Sequence, residues 1–136
     1  MKGSILLVED DPQRAVWFTD ALAPLGYDVR LATDAELALD QFRETVFDLV
    51  FCDHDLGYGM NGSQLLYRVF SMVGYKTPLR VWVHSENPVG ALNIAAKVAS
   101  MDLPCFVAPF GRCLRDKSRF LADVQDFLTK THAASE

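Results

Sequence analysis

The sequence has no apolar run long enough to span a bilayer, and its opening, MKGSILLVEDD, turns acidic where a secretory leader would need more apolar residues and a small-residue cleavage site. It is also poor in cysteine: Cys52, Cys105 and Cys113 cannot all pair with one another, and two of them fall inside apolar runs that read as buried strands. Reduced thiols, a cytoplasmic location and no membrane partner are the expectations. Positive charge is not in excess either. A formal net charge of −5 excludes a broad phosphate-backbone surface of the kind that drives non-specific DNA binding. The local cluster of Arg112, Arg115, Lys117 and Arg119 reads as the solvated start of a helix, with a small basic face as the alternative. No stretch is dominated by one residue type, and 50% hydrophobic with 23% charged residues excludes disorder and fibrous repeats. A chain of 136 residues fits one domain and is short for two.

What is present is an alternation of short apolar runs with helical periods, the pattern of βα units packed around a parallel sheet. Residues 4–8 form a first strand, apolar almost throughout as expected when both faces are covered. After Pro12, Ala15, Phe18, Leu22 and Leu25 recur at three- and four-residue spacing and predict a helix closed by Gly26. A second strand spans 27–32, and Thr33 or Asp34 caps a helix that buries Ala35, Ala38, Leu39 and Phe42. A third strand at 49–52 leads into a glycine-rich loop over 53–62. A helix from about Ser63 then buries Leu66, Val69, Phe70 and Val73 and stops at Gly74. Strands at 80–84 and 105–108 and helices at 88–101 and 114–130 complete five strands and five helices. Phe120, Val124, Phe127 and Leu128 of the last helix serve its own core.

Right-handed crossovers of this length give an α/β, flavodoxin-like doubly wound (βα)5 fold with a five-stranded parallel sheet in the order 2-1-3-4-5. The expected domain covers 1–131, with 132–136 a frayed tail, and no leftover segment suits a separate output domain.

Ligands of such sheets bind beyond the carboxyl ends of the strands. The first strand ends in Glu9, Asp10 and Asp11, the third in Asp53, His54 and Asp55, and the fourth in His84, Ser85 and Glu86. Strands one and three are neighbours in the expected order, so their carboxylates converge and repel unless a proton or cation relieves them. Oxygen donors without thiolates favour a hard ion such as Mg2+. Asp11, just before Pro12, is explained equally well as an acid at a helix start. Asp53, straight after a buried strand, is not.

ILLVEDDP, followed by FDLVFCDHDL, VHSENP and APF, resembles the receiver domain of response regulators over nearly the whole chain. The resemblance implies Asp53 as phosphoacceptor, Glu9, Asp10 and Asp53 as metal-binding carboxylates, Asp55 as a ligand through its backbone carbonyl, and Ser85 as a phosphoryl contact. It also implies a histidine kinase and a downstream protein as partners. Two positions depart from it: Ala108 stands where receivers carry a lysine, and Cys105 where they carry an aromatic switch residue, with Phe106 displaced by one. Arg112 is a candidate to replace the lysine.

The stretches DHDLGYG and HSENPVG further resemble a receiver-derived family named for cyclic-phosphate processing. That resemblance implies a phosphorylated small molecule or a nucleic-acid end as substrate. Opening a cyclic phosphate needs an activated water and a proton for the leaving oxygen, for which His54 and His84 are candidates. If Ser85 faces the pocket, strand alternation aims His84 at a helix-covered face and favours a hydrogen-bonded core histidine over a functional one. Asn87 and Pro88 begin the fourth helix, whose amides are candidates for a phosphate oxygen. Three readings stand: a catalytic cyclic-phosphate-processing domain, which the motifs favour, a stand-alone phosphorelay receiver, and a degenerate receiver that only docks a protein.

Overall fold

The structure is a computed structural model and describes residues 2–130. Five parallel strands, β1 (Ser4–Val8), β2 (Asp28–Ala32), β3 (Leu49–Cys52), β4 (Val81–Val83) and β5 (Cys105–Val107), form one sheet in the order β2-β1-β3-β4-β5. The expected topology is therefore the observed one. The described residues contain six α-helices: α1 (Pro12–Leu22), α2 (Ala35–Glu44), α3 (Gly62–Ser71), α4 (Pro88–Ser100), α5 (Phe110–Arg115) and α6 (Lys117–Phe127). The tail at 132–136, read as frayed, lies outside the described residues, as does the domain limit at residue 131.

Each strand is covered on both faces, which is why the strands read as apolar runs rather than as alternations. Leu6, Val8, Val50, Cys52, Val81 and Val83 pack into one buried cluster with Ala38, Phe42, Leu65 and Ile94 of α2, α3 and α4. Ile5, Leu7, Leu49, Phe51 and Trp82 pack into the other with Phe18, Leu22, Phe120 and Val124 of α1 and α6. Phe18, Phe51, Trp82 and Phe120 touch ring to ring and make the second cluster largely aromatic.

The register carries the functional consequence. Val8 pairs with Cys52, Cys52 with Val83, and Val83 with Val107. The next residues, Glu9, Asp53, His84 and Ala108, therefore leave the sheet side by side. Their pleat matches Leu7, Phe51, Trp82 and Phe106, on the face covered by α1 and α6. Helix starts gather at the same end. Asp11 caps α1, accepting from the amides of Gln13 and Arg14 at 2.9 and 3.2 Å. Asp34, not Thr33, caps α2. Asn61 and Gln64 form a capping box on α3, and Asn87 caps α4.

Several elements differ from the sequence expectation. The last helix is two helices, because Asp116 is extended (φ −145°, ψ 95°) and its carboxylate caps α6 through the Arg119 amide at 3.0 Å. The basic cluster thus straddles a break instead of starting one helix. Helix α3 ends at Ser71, where Met72 turns extended, and Val73 is fully exposed rather than buried. Arg80 lies outside β4, its guanidinium donating to the carbonyls of Lys130 and Asp48.

Gly62, the first residue of α3, has no room for a side chain: a Cβ there would run into the backbone carbonyl of Asp53, which cannot move without moving the strand end. Gly62→Ala is expected to lower stability by about 1 to 3 kcal/mol, as overpacking does. Urea unfolding of the variant beside the parent protein measures it.

Candidate functional site

Glu9 is completely buried at the end of β1. Its Oε1 lies 2.9 Å from His84 Nε2, and its Oε2 accepts from the Asp11 amide at 3.0 Å. The His84 ring is wholly buried against Phe18, ring centroids 4.8 Å apart. Its Nδ1 has no hydrogen-bond partner among the described residues. Asp53, only 4% exposed, accepts from the His54 amide at 2.8 Å through Oδ1, and its Oδ2 is 4.0 Å from Arg14 NH1. Atoms of Glu9, Asp53 and His84 all lie within 4.8 Å of one another. Asp10 is exposed at the rim of this cluster, and a Cβ on Gly57 would stand 2.8 Å from its Oδ2. Gly57 has φ +71°, a left-handed conformation that favours glycine there, whereas the Asp10 side chain could move aside.

The charges in this cluster are strained against one another. Burial pushes the Asp53 carboxyl above the ordinary aspartate range and the Glu9 charge adds to it, while His84, the His54 amide and the Ser85 hydroxyl act in the opposite direction. Partial desolvation and the neighbouring Glu9 raise Asp10 as well, although it stands exposed at the rim. For Glu9 itself, burial acts upward, but the His84 ring and the Asp11 amide outweigh it and hold its carboxyl low. The result is a fixed anion at Glu9 with two further carboxyls that each gain from a proton or a cation. An oxygen-rich cluster of this kind fits a hard divalent ion. Each Glu9 oxygen already accepts one hydrogen bond, so Asp10 and Asp53 are the freer carboxylates, while Glu9 stays within 4.8 Å of Asp53 and His84 as a further candidate ligand.

The remaining residues named from the sequence divide into those at the cluster and those beside it. Ser85 is buried next to Asp53, its Oγ accepting from the Asn87 amide at 3.1 Å. His54 turns away from the sheet and lies on Gly90 of α4, where any Cβ would strike its imidazole, while its Nδ1 sits 3.2 Å from the exposed Asp55 carboxylate. Asn87, expected as a phosphate contact, caps α4 with its Oδ1 on the Gly90 amide at 3.1 Å, and its own amide donates to Ser85 Oγ. His84 is the buried, hydrogen-bonded core histidine that strand alternation favoured, and Ser85, buried as well, acts on the Asp53 carboxyl.

A sequence model of the response regulator receiver domain matches residues 5–102, well over half of the chain. The chain belongs to the response regulator receiver family. A stretch of 49 residues in this receiver is 47% identical to the transcriptional regulatory protein ZraR of Escherichia coli, covering 36% of this chain but only 11% of that protein. The receiver domain of a sensor histidine kinase from Pseudomonas aeruginosa, solved with a magnesium ion coordinated in its active-site cleft, has a similar fold. Its TM-score is 0.69 at 18% identity, over 96% of this chain and 100% of that one. A response regulator receiver domain from Methylobacillus flagellatus gives a TM-score of 0.69 at 20% identity, over 92% of this chain and 98% of that one.

Against the receiver pattern, Ala108 leaves a small buried side chain where a lysine was expected. Arg112 does not replace it: its guanidinium lies over the Phe106 ring, 5.8 Å from the centroid. The cation beside Asp53 is Arg14, which the sequence reading passed over. Its signal was legible in DDPQR, since a base in the first turn of a helix opposes the helix dipole and calls for a nearby anion.

Because the Asp53 carboxyl titrates above its unfolded range, its ionisation costs stability at neutral pH in metal-free buffer. Asp53→Asn is therefore expected to raise the melting temperature in EDTA by about 3 to 6 °C, the scale of 1 kcal/mol. The gain should shrink as pH falls through the raised range of Asp53 and be gone by about 3.9, below which aspartate is protonated in both states. Differential scanning calorimetry across pH checks both the sign and the trend.

Proposed function

We propose that this receiver accepts a phosphoryl group on Asp53 in a Mg2+-dependent reaction, with a histidine kinase as donor and a downstream protein as reader. The observation that carries the reading is the convergence of Asp10 and Asp53 around a buried Glu9 whose own charge is fixed by His84. Asp10, Asp53 and the Asp55 backbone carbonyl would hold the ion. When bound, it supplies positive charge that stabilises the phosphoryl oxygens.

In the transfer, an Asp53 carboxylate oxygen forms a bond to phosphorus while the bond from phosphorus to the donor breaks. The leaving group, a kinase imidazole or the acetate of acetyl phosphate, takes the electron pair. Burial and the Glu9 charge already hold the Asp53 carboxyl high, and the phosphoryl group it gains adds negative charge that the ion and nearby donors would have to balance. Ser85, buried and acting on the Asp53 carboxyl, would donate its hydroxyl to one phosphoryl oxygen.

A second reading, opening of a cyclic phosphate, rests on HSENPVG and on the two histidines. His84 is sealed from solvent and paired to Glu9, so His54, with 14% of its side chain exposed, is the imidazole able to meet a substrate. Much of the motif also serves packing: Asn87 caps α4, Pro88 opens it, and Gly90 seats the His54 ring. Phosphoacceptance accounts for the buried acids without requiring a base that water can reach, and it is the stronger reading.

Intact mass spectrometry after incubation with Mg2+ and acetyl phosphate is expected to show one phosphoryl adduct, absent from Asp53→Asn and from samples in EDTA. A parallel incubation with a 2′,3′-cyclic nucleotide is expected to leave the nucleotide unopened. Turnover that vanishes in His54→Ala would give precedence to the cyclic-phosphate reading.

A further inference from the structure

Arg14 occupies the third position of α1, fixed there by the Asp11 cap and by Pro12 at the first position. From that turn its side chain reaches over the strand ends, with NH1 4.0 Å from Asp53 Oδ2 and Cζ 5.1 Å from the centroid of the Phe110 ring. Among the described residues it is the only lysine or arginine with a charged nitrogen within 4 Å of a carboxylate of Glu9, Asp10 or Asp53. A separation of 4.0 Å exceeds a hydrogen bond, so its donors remain uncommitted at that carboxylate. Phe110 follows β5 by three residues, and its ring face holds the guanidinium at a fixed height above the site. Ala108, which emerges beside His84 on this same face of the sheet, contributes only a methyl group and leaves the space above Asp53 to Arg14.

We propose that Arg14 binds the oxygens of the phosphoryl group carried by Asp53, with Phe110 as the residue that positions it. The inference rests on the reading of Asp53 as phosphoacceptor. Formation of the O–P bond converts one carboxylate charge into a phosphoryl group bearing about two negative charges on three oxygens. A planar fork of N–H donors next to Asp53 matches that group in charge and in geometry. Arg14 thus supplies from α1 a cation in a receiver that has Ala108 where the resemblance expects a lysine, and Phe110 supports it.

The test compares the parent protein with Arg14→Met, which keeps the stem over Phe110 but removes the charge, with Arg14→Lys and with Asp53→Asn. Three quantities are read: the initial rate of adduct formation from acetyl phosphate, the affinity for beryllofluoride with Mg2+, and the affinity for Mg2+ alone. The last two are followed by tryptophan fluorescence, for which Trp17 lies 5.5 Å from Phe110. Loss of a charge-assisted contact in Arg14→Met is expected to weaken beryllofluoride binding by about 10-fold or more and to slow adduct formation by a similar factor. Mg2+ affinity should hold or tighten, because a cation beside the acids has gone. Arg14→Lys should recover part of the loss, and melting curves should keep all variants folded at the assay temperature. Beryllofluoride affinity within about twofold of the parent in Arg14→Met, with the adduct present in the parent and absent in Asp53→Asn, would overturn the role of Arg14 and leave Asp53 as phosphoacceptor. Absence of any adduct in the parent would overturn both.

Discussion

Everything at the functional end of this molecule follows from one row of strand residues in register. Val8, Cys52, Val83 and Val107 lie side by side, so the four residues that follow them emerge together and on the same face. Two of the four are carboxylic acids, and neither is in bulk water. Like charges held this way are costly in a medium of low polarity, and the structure meets the cost unevenly. It satisfies Glu9 completely, with a buried imidazole on one oxygen and a backbone amide on the other. It leaves Asp53 under tension, with a single amide on Oδ1 and an arginine just out of contact on Oδ2.

The residues around this pair read as adaptations to it. Gly57 and Gly62 let the loop after β3 close over the acids, one against the Asp10 carboxylate and the other against the Asp53 carbonyl. Asn87 caps the start of α4 on the Gly90 amide, and the bare Gly90 leaves room for the His54 ring against that turn. His84, the partner of Glu9, is itself gripped by Phe18 of the aromatic core, so packing beneath α1 fixes the orientation of the charge network. Core and site share the same side chains here. A change at Phe18 would be felt at Glu9 through one ring.

Much of this was legible from the residues alone. Strands buried on both faces announce themselves as apolar runs, and the connection rules leave few sheet orders, so the place of Glu9, Asp10 and Asp53 could be named before any coordinates. What stayed hidden depended on contacts across space or on short-range competition. Asp116 interrupts a basic run and looks like one more surface residue, yet its extended backbone and capping carboxylate split a helix in two. Arg112 is three residues from Pro109 and looked near enough to serve the site, but it packs on Phe106 instead. Arg14 is far from Asp53 in sequence and meets it only because α1 begins directly over the strand ends. Asn87 carries a capping role at the start of α4 that the sequence expectation of a phosphate contact did not include.

The most direct test of the account is a crystal structure of the protein with Mg2+ and beryllofluoride, read for which groups surround the fluorine atoms. The account predicts beryllium bonded to an Asp53 carboxylate oxygen, with Arg14 and Ser85 both within hydrogen-bond distance of fluorine. Beryllofluoride on any other residue, or Arg14 still stacked on Phe110 and out of reach of it, would contradict that.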